Sequence, residues 1–141
     1  FGKYRDSMKA LDTPVEVEPQ VEVKQQVWKR SNILRVQAIE LAEYKCELDG
    51  RHRSFLSGST LKPYMEGHHA IPMNNQGDFH VSLDVYANIV CLCPLCHKKI
   101  HHGIKDDRTD MVKRIYDKRG ERLVKSGIIL QETEFIEIAL K

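Results

Sequence analysis

Cysteine and histidine are confined to one part of this chain, and that distribution constrains its fold more than any other feature. The 141 residues include four cysteines and seven histidines, and all eleven lie between Cys46 and His102. A small secreted domain would spread its disulfide cysteines along the chain, whereas a metal site in a reducing compartment concentrates both residue types. The distribution therefore predicts a metal-binding domain in the cytoplasm.

Two cysteine-bearing turns predict a structural Zn²⁺ site. Cys93-Pro-Leu-Cys96 has the spacing with which two thiolates occupy adjacent corners of a tetrahedron. A structural site needs two more ligands, and the segment from residue 46 to residue 52 offers Cys46 as the third and His52 as the fourth. Asp49 is the alternative fourth ligand, because it stands where the second cysteine of a C-x2-C pair would normally stand.

A histidine pair predicts a second cation site. His97 and His101 are four residues apart in a segment that favours a helix from Leu95 to His102. On a helix both imidazoles would project from one face, where they can bind one cation.

The pattern outside these motifs predicts one domain behind a tether. Residues 1–24 are interpreted as an extended linker to something upstream, because two prolines interrupt alternating valine and glutamate. The first residue is Phe1 rather than Met, which indicates a chain trimmed or processed at its front. Residues 25–141 would then form the domain, beginning with a helix over 25–45 whose inner face carries Val27, Leu34, Ala38, Leu41 and Ala42.

Weaker signals predict the remaining elements of the domain. Residues 88–92 favour a strand, Pro94 the opening of a helix and Gly103 its end. An amphipathic helix is expected over about residues 108–125, with Gly120 able to split it and Gly127 as its cap. Residues 132–140 favour a short helix, although their alternation also fits a strand.

Composition excludes several classes of protein. The chain is 41% hydrophobic and 30% charged, which permits a buried core and argues against a disordered tail. Its longest apolar runs are far too short to cross a bilayer, so no membrane partner is expected. A basic centre between acidic ends, within a net charge of +2, is compatible with a polyanionic partner.

The order of these residues resembles the HNH endonucleases over about residues 40–105. The matching series is Cys46, then His68-His69-Ala-Ile-Pro72, Asn88, Cys93-Pro-Leu-Cys96-His97 and His101. The resemblance implies an α+β fold with a ββα-metal (HNH) core, stabilised by the structural zinc site and flanked by helices. It also implies a metal-dependent endonuclease that hydrolyses DNA phosphodiester bonds.

The resemblance further implies a role for each matching residue. His68 and His97 would bind the catalytic divalent cation, and His101 would add a ligand as in colicin-type members. His69 would be the general base that activates water, and Asn88 would brace the loop and orient that base. The cation could be Mg²⁺, Mn²⁺ or another transition metal, since imidazoles favour the latter while phosphate and water oxygens suit Mg²⁺.

HNH modules are commonly joined to recognition domains, so the resemblance implies the nuclease module of a prokaryotic restriction or anti-phage defence protein. Its partners would be DNA and an upstream recognition domain or partner protein. A double-strand break would require a homodimer or sequential nicks. Two alternatives stay open: a zinc-stabilised module that binds DNA without cutting it, and an RNA-directed nuclease. His69 beside the set His68, His97 and His101 favours the enzyme, because a pure binder needs neither a base nor a second metal.

Overall fold

Helices flank a small antiparallel sheet in the computed structural model of this chain, which describes residues 12–141. Two short 3₁₀ turns, Met73–Asp78 and Tyr86–Asn88, lie in the segment that joins the strands. This mixed architecture confirms the predicted α+β class with a ββα core. In chain order the elements are α1 (Asn32–Leu41), β1 (Glu66–His69), β2 (Ile89–Leu92), α2 (Pro94–His102), α3 (Lys105–Lys125) and α4 (Glu132–Ala139).

The two strands and the helix that follows them position the histidines. β1 pairs antiparallel with β2, so that His68 lies opposite Val90 and His69 opposite Ile89. Successive side chains of a strand point to opposite faces, which separates these two histidines onto different sides of β1. α2 begins directly after β2, with Pro94 in its first turn and Gly103 at its end, as the sequence predicts.

The first helix is shorter than the sequence predicts. It begins at Asn32 rather than at residue 25, because Ser31 caps it by accepting a hydrogen bond from the Leu34 N–H at 3.2 Å. It ends at Leu41, since Glu43 and Tyr44 have φ of +56° and +57° and leave the helical conformation. The expected inner face is therefore wrong in part. Ala38 is buried and Leu34 and Ala42 are half-buried, but Val27 and Leu41 are exposed.

A buried arginine joins α3 to the turn that precedes β2. Arg119 is 5% exposed and forms a two-oxygen ion pair with Glu47, at 2.7 and 2.8 Å. Its guanidinium also donates to the carbonyls of Tyr86, Ala87 and Ile89. Removing one member of such a buried pair typically costs about 3–5 kcal/mol, because the other charge is left unpaired. This contact fixes the entry to β2 and the residue that follows Cys46.

The C-terminal helices largely follow the sequence patterns. α3 begins at Lys105, slightly earlier than expected, and Gly120 does not interrupt it. Gly127 ends it with a φ of +82°, which confirms the predicted cap. The last segment is a helix and not a strand, and Gln131 and Glu134 form a capping box at its start.

The core lies between the sheet and the helices, and the segment before α1 stays outside it. Ile71, Leu83, Ile89 and Phe135 are completely buried. Residues 12–30 form neither helix nor strand and are exposed, while residues 1–11 of the predicted tether lie outside the described residues. Within residues 12–141, no helix is both long and apolar enough to span a membrane.

Candidate metal centres and active site

The first candidate metal centre consists of Cys46, His52, Cys93 and Cys96. Their ligand atoms all lie within 4.8 Å of one another. His52 directs Nδ1 toward two of the sulfurs, 3.7 Å from Cys93 Sγ and 3.2 Å from Cys96 Sγ. A tetrahedron with zinc–ligand bonds of about 2.0–2.3 Å places its corners about 3.3–3.8 Å apart. The donor set and its spacing therefore fit Zn²⁺.

The crowding of three sulfurs also fits a cation, and it is reflected in the pKa values of two of the thiols. Burial opposes charge on Cys46, but the backbone N–H groups of Cys93, Asp49 and Leu48 outweigh it and lower the pKa of that thiol to about 7. Burial and the sulfurs of Cys93 and Cys46 raise the pKa of the Cys96 thiol. Three thiolates this close together need a positive charge between them.

Asp49, the alternative fourth ligand, lies outside this group. Its carboxylate accepts hydrogen bonds from Arg51 Nε and Nη2 at 3.1 and 3.0 Å and from the Arg51 backbone N–H. It also lies 3.7 Å from Nε2 of His52, the ring nitrogen that faces away from the sulfurs. A carboxylate behind a metal-binding imidazole is a common arrangement. The geometry therefore places His52 rather than Asp49 among the sulfurs.

The second candidate metal centre consists of His68 from β1 and of His97 and His101 from α2. Their ligand nitrogens lie within 4.8 Å of one another, and the two Nε2 atoms of the α2 pair are 3.2 Å apart. Imidazoles bound to one cation at about 2.1 Å have nitrogens about 3.0–3.4 Å apart. His68 is buried beneath the pair, whereas His97 and His101 border solvent. The arrangement fits one cation that a substrate can reach.

Two of these imidazoles, those of His68 and His101, have lowered pKa values that favour the neutral form that metal binding requires. Burial lowers the pKa of His68 to about 3, and the facing rings of His97 and His101 contribute to the decrease. Burial and the neighbouring His97 also lower the pKa of His101. Neutral imidazole keeps the lone pair that a cation needs.

A carboxylate fixes the orientation of His97. Glu66 Oε1 lies 3.0 Å from His97 Nδ1, and the other oxygen of Glu66 accepts a hydrogen bond from the Tyr64 hydroxyl at 3.3 Å. Because a carboxylate only accepts, Nδ1 of His97 carries the proton and Nε2 is free to bind a cation. Glu66 and His68 share a face of β1, since they are two residues apart on one strand.

His69 points to the other side of β1, away from the three-imidazole group. Its Nε2 lies 2.8 Å from Asp84 Oδ1, and both side chains are nearly buried. Burial lowers the pKa of His69 below its ordinary value; Asp84 opposes this shift, and the positive charges of Arg30 and Arg35 add to it. The arrangement gives a neutral imidazole next to a carboxylate and two arginines.

Asn88 braces the loop but forms no hydrogen bond with the His69 side chain. It is fully buried and its Oδ1 accepts the Ile71 N–H at 2.8 Å. Its Nδ2 donates to the carbonyls of Ile71 and Leu83, at 3.0 and 2.9 Å. These hydrogen bonds fix the backbone at Ile71, two residues after His69, and at Leu83, one residue before Asp84.

Sequence reasoning missed Glu66 and Asp84, which contact site histidines directly. The sequence carries a signal for Glu66, because its spacing from His68 places both side chains on one face of a strand. Asp84 offers no such signal, since it lies in a loop without helix or strand, fifteen residues from His69.

Comparison with known proteins agrees with this geometry. Residues 46–103 match the family model of the HNH endonucleases, and this segment contains both candidate metal centres. The chain is also 28% identical, over 110 residues, to the type IV methyl-directed restriction enzyme EcoKMcrA of Escherichia coli (strain K12). That alignment covers 77% of this chain but only 37% of the relative. The matches confirm the resemblance to HNH endonucleases.

Proposed function

We propose that this chain, whose residues 46–103 match the HNH endonuclease family, is a metal-dependent nuclease module that hydrolyses phosphodiester bonds of DNA. The observation that carries the proposal is the pairing of two features around β1. One is the group of three imidazoles on one side, and the other is the carboxylate-bound imidazole of His69 on the other side. A cation centre and a base are the two groups that this hydrolysis needs.

Each group of residues has a separate task in this proposal. Cys46, His52, Cys93 and Cys96 would hold a structural Zn²⁺ that joins the turn after α1 to the start of α2. His68, His97 and His101 would hold the catalytic divalent cation, which when bound supplies positive charge to the phosphate and the leaving oxygen. His69 would take the proton of the attacking water through Nδ1, the ring nitrogen that faces away from Asp84. Asn88 would keep the loop of His69 and Asp84 in place.

The biological setting is proposed from the relative. EcoKMcrA is named as a methyl-directed restriction enzyme, and the chain spans 37% of its length. We therefore place this module in a restriction or anti-phage system in which an upstream domain or partner protein recognises the DNA. The four cysteines are free, which suits a reducing cytoplasm. A double-strand break would need two modules or two successive nicks.

A plasmid-nicking assay tests the proposal. Supercoiled DNA should be nicked in the presence of Mg²⁺ or Mn²⁺, should survive intact in chelator, and should be nicked again when the cation is restored. His69→Ala should reduce the rate by about 10²–10⁴-fold, the usual contribution of one positioned base. His97→Ala should instead need more Mn²⁺, and excess cation should restore part of its rate.

The outcomes separate the alternatives. A zinc-stabilised binding module would retain DNA without nicking it under any cation, and a His69→Ala variant that nicks like the wild type would remove the assigned base. The cleavage rates of single-stranded RNA and single-stranded DNA of the same sequence are then compared. Preferential RNA cleavage would replace the DNA assignment with the RNA-directed one.

A further inference from the structure

We infer that Asp84 is the positioning residue of His69, and that its carboxylate fixes both the direction of the imidazole and the nitrogen that carries its proton. The inference rests on the proposed function, in which His69 activates water. The resemblance to HNH endonucleases gave the orienting role to Asn88, but within residues 12–141 the side chain of Asn88 hydrogen-bonds only to the backbone of Ile71 and Leu83. The direct partner of the ring is Asp84.

The contact between the two side chains determines the tautomer. Nε2 of His69 lies 2.8 Å from Oδ1 of Asp84, and the two side chains are 8% and 11% exposed. An ionised carboxylate has no proton to give, so Nε2 must donate. The lone pair of the neutral ring is then on Nδ1. The contact is largely shielded from solvent, and the hydrogen bond is correspondingly strong.

Asp84 is itself fixed from several sides, which distinguishes it from a chance surface pair. Its Oδ2 accepts the backbone N–H of Ser31, the residue that caps α1, at 2.7 Å. Its own N–H donates to Ser82 Oγ at 3.0 Å. Asn88 holds the carbonyl of the preceding residue, Leu83. The carboxylate is therefore held in place before any substrate binds.

In Asp84→Asn the new side chain can satisfy both hydrogen-bond partners of Asp84 only if the tautomer of His69 changes. An asparagine has one oxygen and one NH₂ group, whereas both partners of Asp84 donate a proton. If the oxygen faces the Ser31 N–H, the NH₂ group faces Nε2 of His69 and moves the ring proton to Nδ1. If the oxygen faces His69, the NH₂ group meets the Ser31 N–H and two donors are left unpaired. The first arrangement satisfies both contacts and is the one we expect.

The ring nitrogens can be observed directly, without any assay of cleavage. In the zinc-loaded protein labelled with ¹⁵N-histidine, a long-range ¹H–¹⁵N spectrum distinguishes the two tautomers, and the His69→Gln variant identifies the His69 signals. We expect the proton on Nε2 in the wild type and on Nδ1 in Asp84→Asn. Asp78→Asn is the matched control, because Asp78 is an exposed aspartate of the same loop and should leave the spectrum unchanged.

Cleavage kinetics supply the second measurement. Asp84→Asn should lower kcat by about 10²–10⁴-fold, up to the full contribution of one positioned base, and should change the KM for DNA little. Asp84→Glu restores a carboxylate and should recover part of kcat. Zinc content and melting temperature are compared alongside, so that loss of folding is not mistaken for loss of positioning.

The two proposals fail in different ways. A proton on Nδ1 in the wild type overturns the role of Asp84 whether or not the variant folds. An equal loss of kcat in Asp84→Glu and Asp84→Asn, with both folded, also counts against it. If the tautomer changes as expected but His69→Ala nicks DNA like the wild type, Asp84 still positions the ring and the proposed base is wrong.

Discussion

Outside the cysteine cluster, a carboxylate lies at hydrogen-bond distance from one ring nitrogen in two of the site imidazoles, but the nitrogen differs between them. Glu66 accepts from Nδ1 of His97, whereas Asp84 accepts from Nε2 of His69. The free nitrogen of His97 is therefore Nε2, which lies beside His101. The free nitrogen of His69 is Nδ1. In the proposed function one residue type would thus supply two chemical functions, a ligand and a base, according to which nitrogen is already bonded.

The carboxylate of Glu66 should set the cation affinity of the three-imidazole group. In Glu66→Gln the hydrogen bond to His97 becomes a neutral one, which makes the ring a weaker ligand, and such changes typically lower metal affinity by about 10–100-fold. Isothermal titration calorimetry, in which Mn²⁺ is added to the zinc-loaded protein, measures this affinity. Tyr64→Phe is the control, because it removes the 3.3 Å hydrogen bond to the other oxygen and leaves the charge. Equal Mn²⁺ affinity in Glu66→Gln and the wild type would contradict the role.

At the scale of elements, the cysteine cluster joins the turn after α1 to the first turn of α2. Cys93→Ser should abolish tight zinc binding and leave the domain largely unfolded. The apparent free energy of a structural zinc site, about 10–16 kcal/mol in zinc-finger peptides, is as large as the stability of a typical domain, about 5–15 kcal/mol. Serine is a good N-cap residue and can replace Cys93 in capping α2, so the loss reports on the metal. Metal analysis after dialysis and thermal melting measure the two effects.

Three further variants test which residues belong to that cluster. Cys91→Ala removes a buried cysteine of β2 that lies outside the cluster, and it should keep one zinc per chain. His52→Ala should behave like Cys93→Ser, while Asp49→Ala should keep its zinc. The reverse result for the last pair would move the fourth ligand to Asp49.

Elements with local signals were predictable, and elements that depend on distant partners were not. Pro94 and Gly103 mark the ends of α2 within the helix itself, so its bounds follow from the sequence. The start of α1 does not, because apolar residues continue upstream of it. Ser31 fixes this start, and its N–H is held by Asp84, which is 53 residues away in sequence. A prediction from neighbouring residues alone therefore cannot include that contact.

The same distinction holds for the site across the whole molecule. Sequence analysis predicted two groups of ligands, one of Cys46, His52, Cys93 and Cys96 and the other of His68, His97 and His101. Within each group the ligand atoms lie within 4.8 Å of one another in the structure. Metal-binding residue types are rare enough for clustering in sequence to indicate clustering in space. Carboxylates and arginines are common at the surface, so Asp84 and the two arginines near His69 carry no comparable signal. Their placement depends on how α1 packs against the sheet.

At the scale of the whole molecule, the exposure of the segment before α1 predicts where the folded domain begins. Residues 14–23 are exposed and lie in neither helix nor strand, so their replacement by a Gly-Ser segment of equal length should change the free energy of unfolding by less than about 0.5 kcal/mol. Ser31→Ala, only eight residues further on, removes the cap of α1 and should cost about 0.5–2 kcal/mol. Urea denaturation of the zinc-loaded proteins measures both. A loss above about 1 kcal/mol in the Gly-Ser chain would mean that the segment packs as part of the domain, and the boundary between tether and domain would move toward the N-terminus.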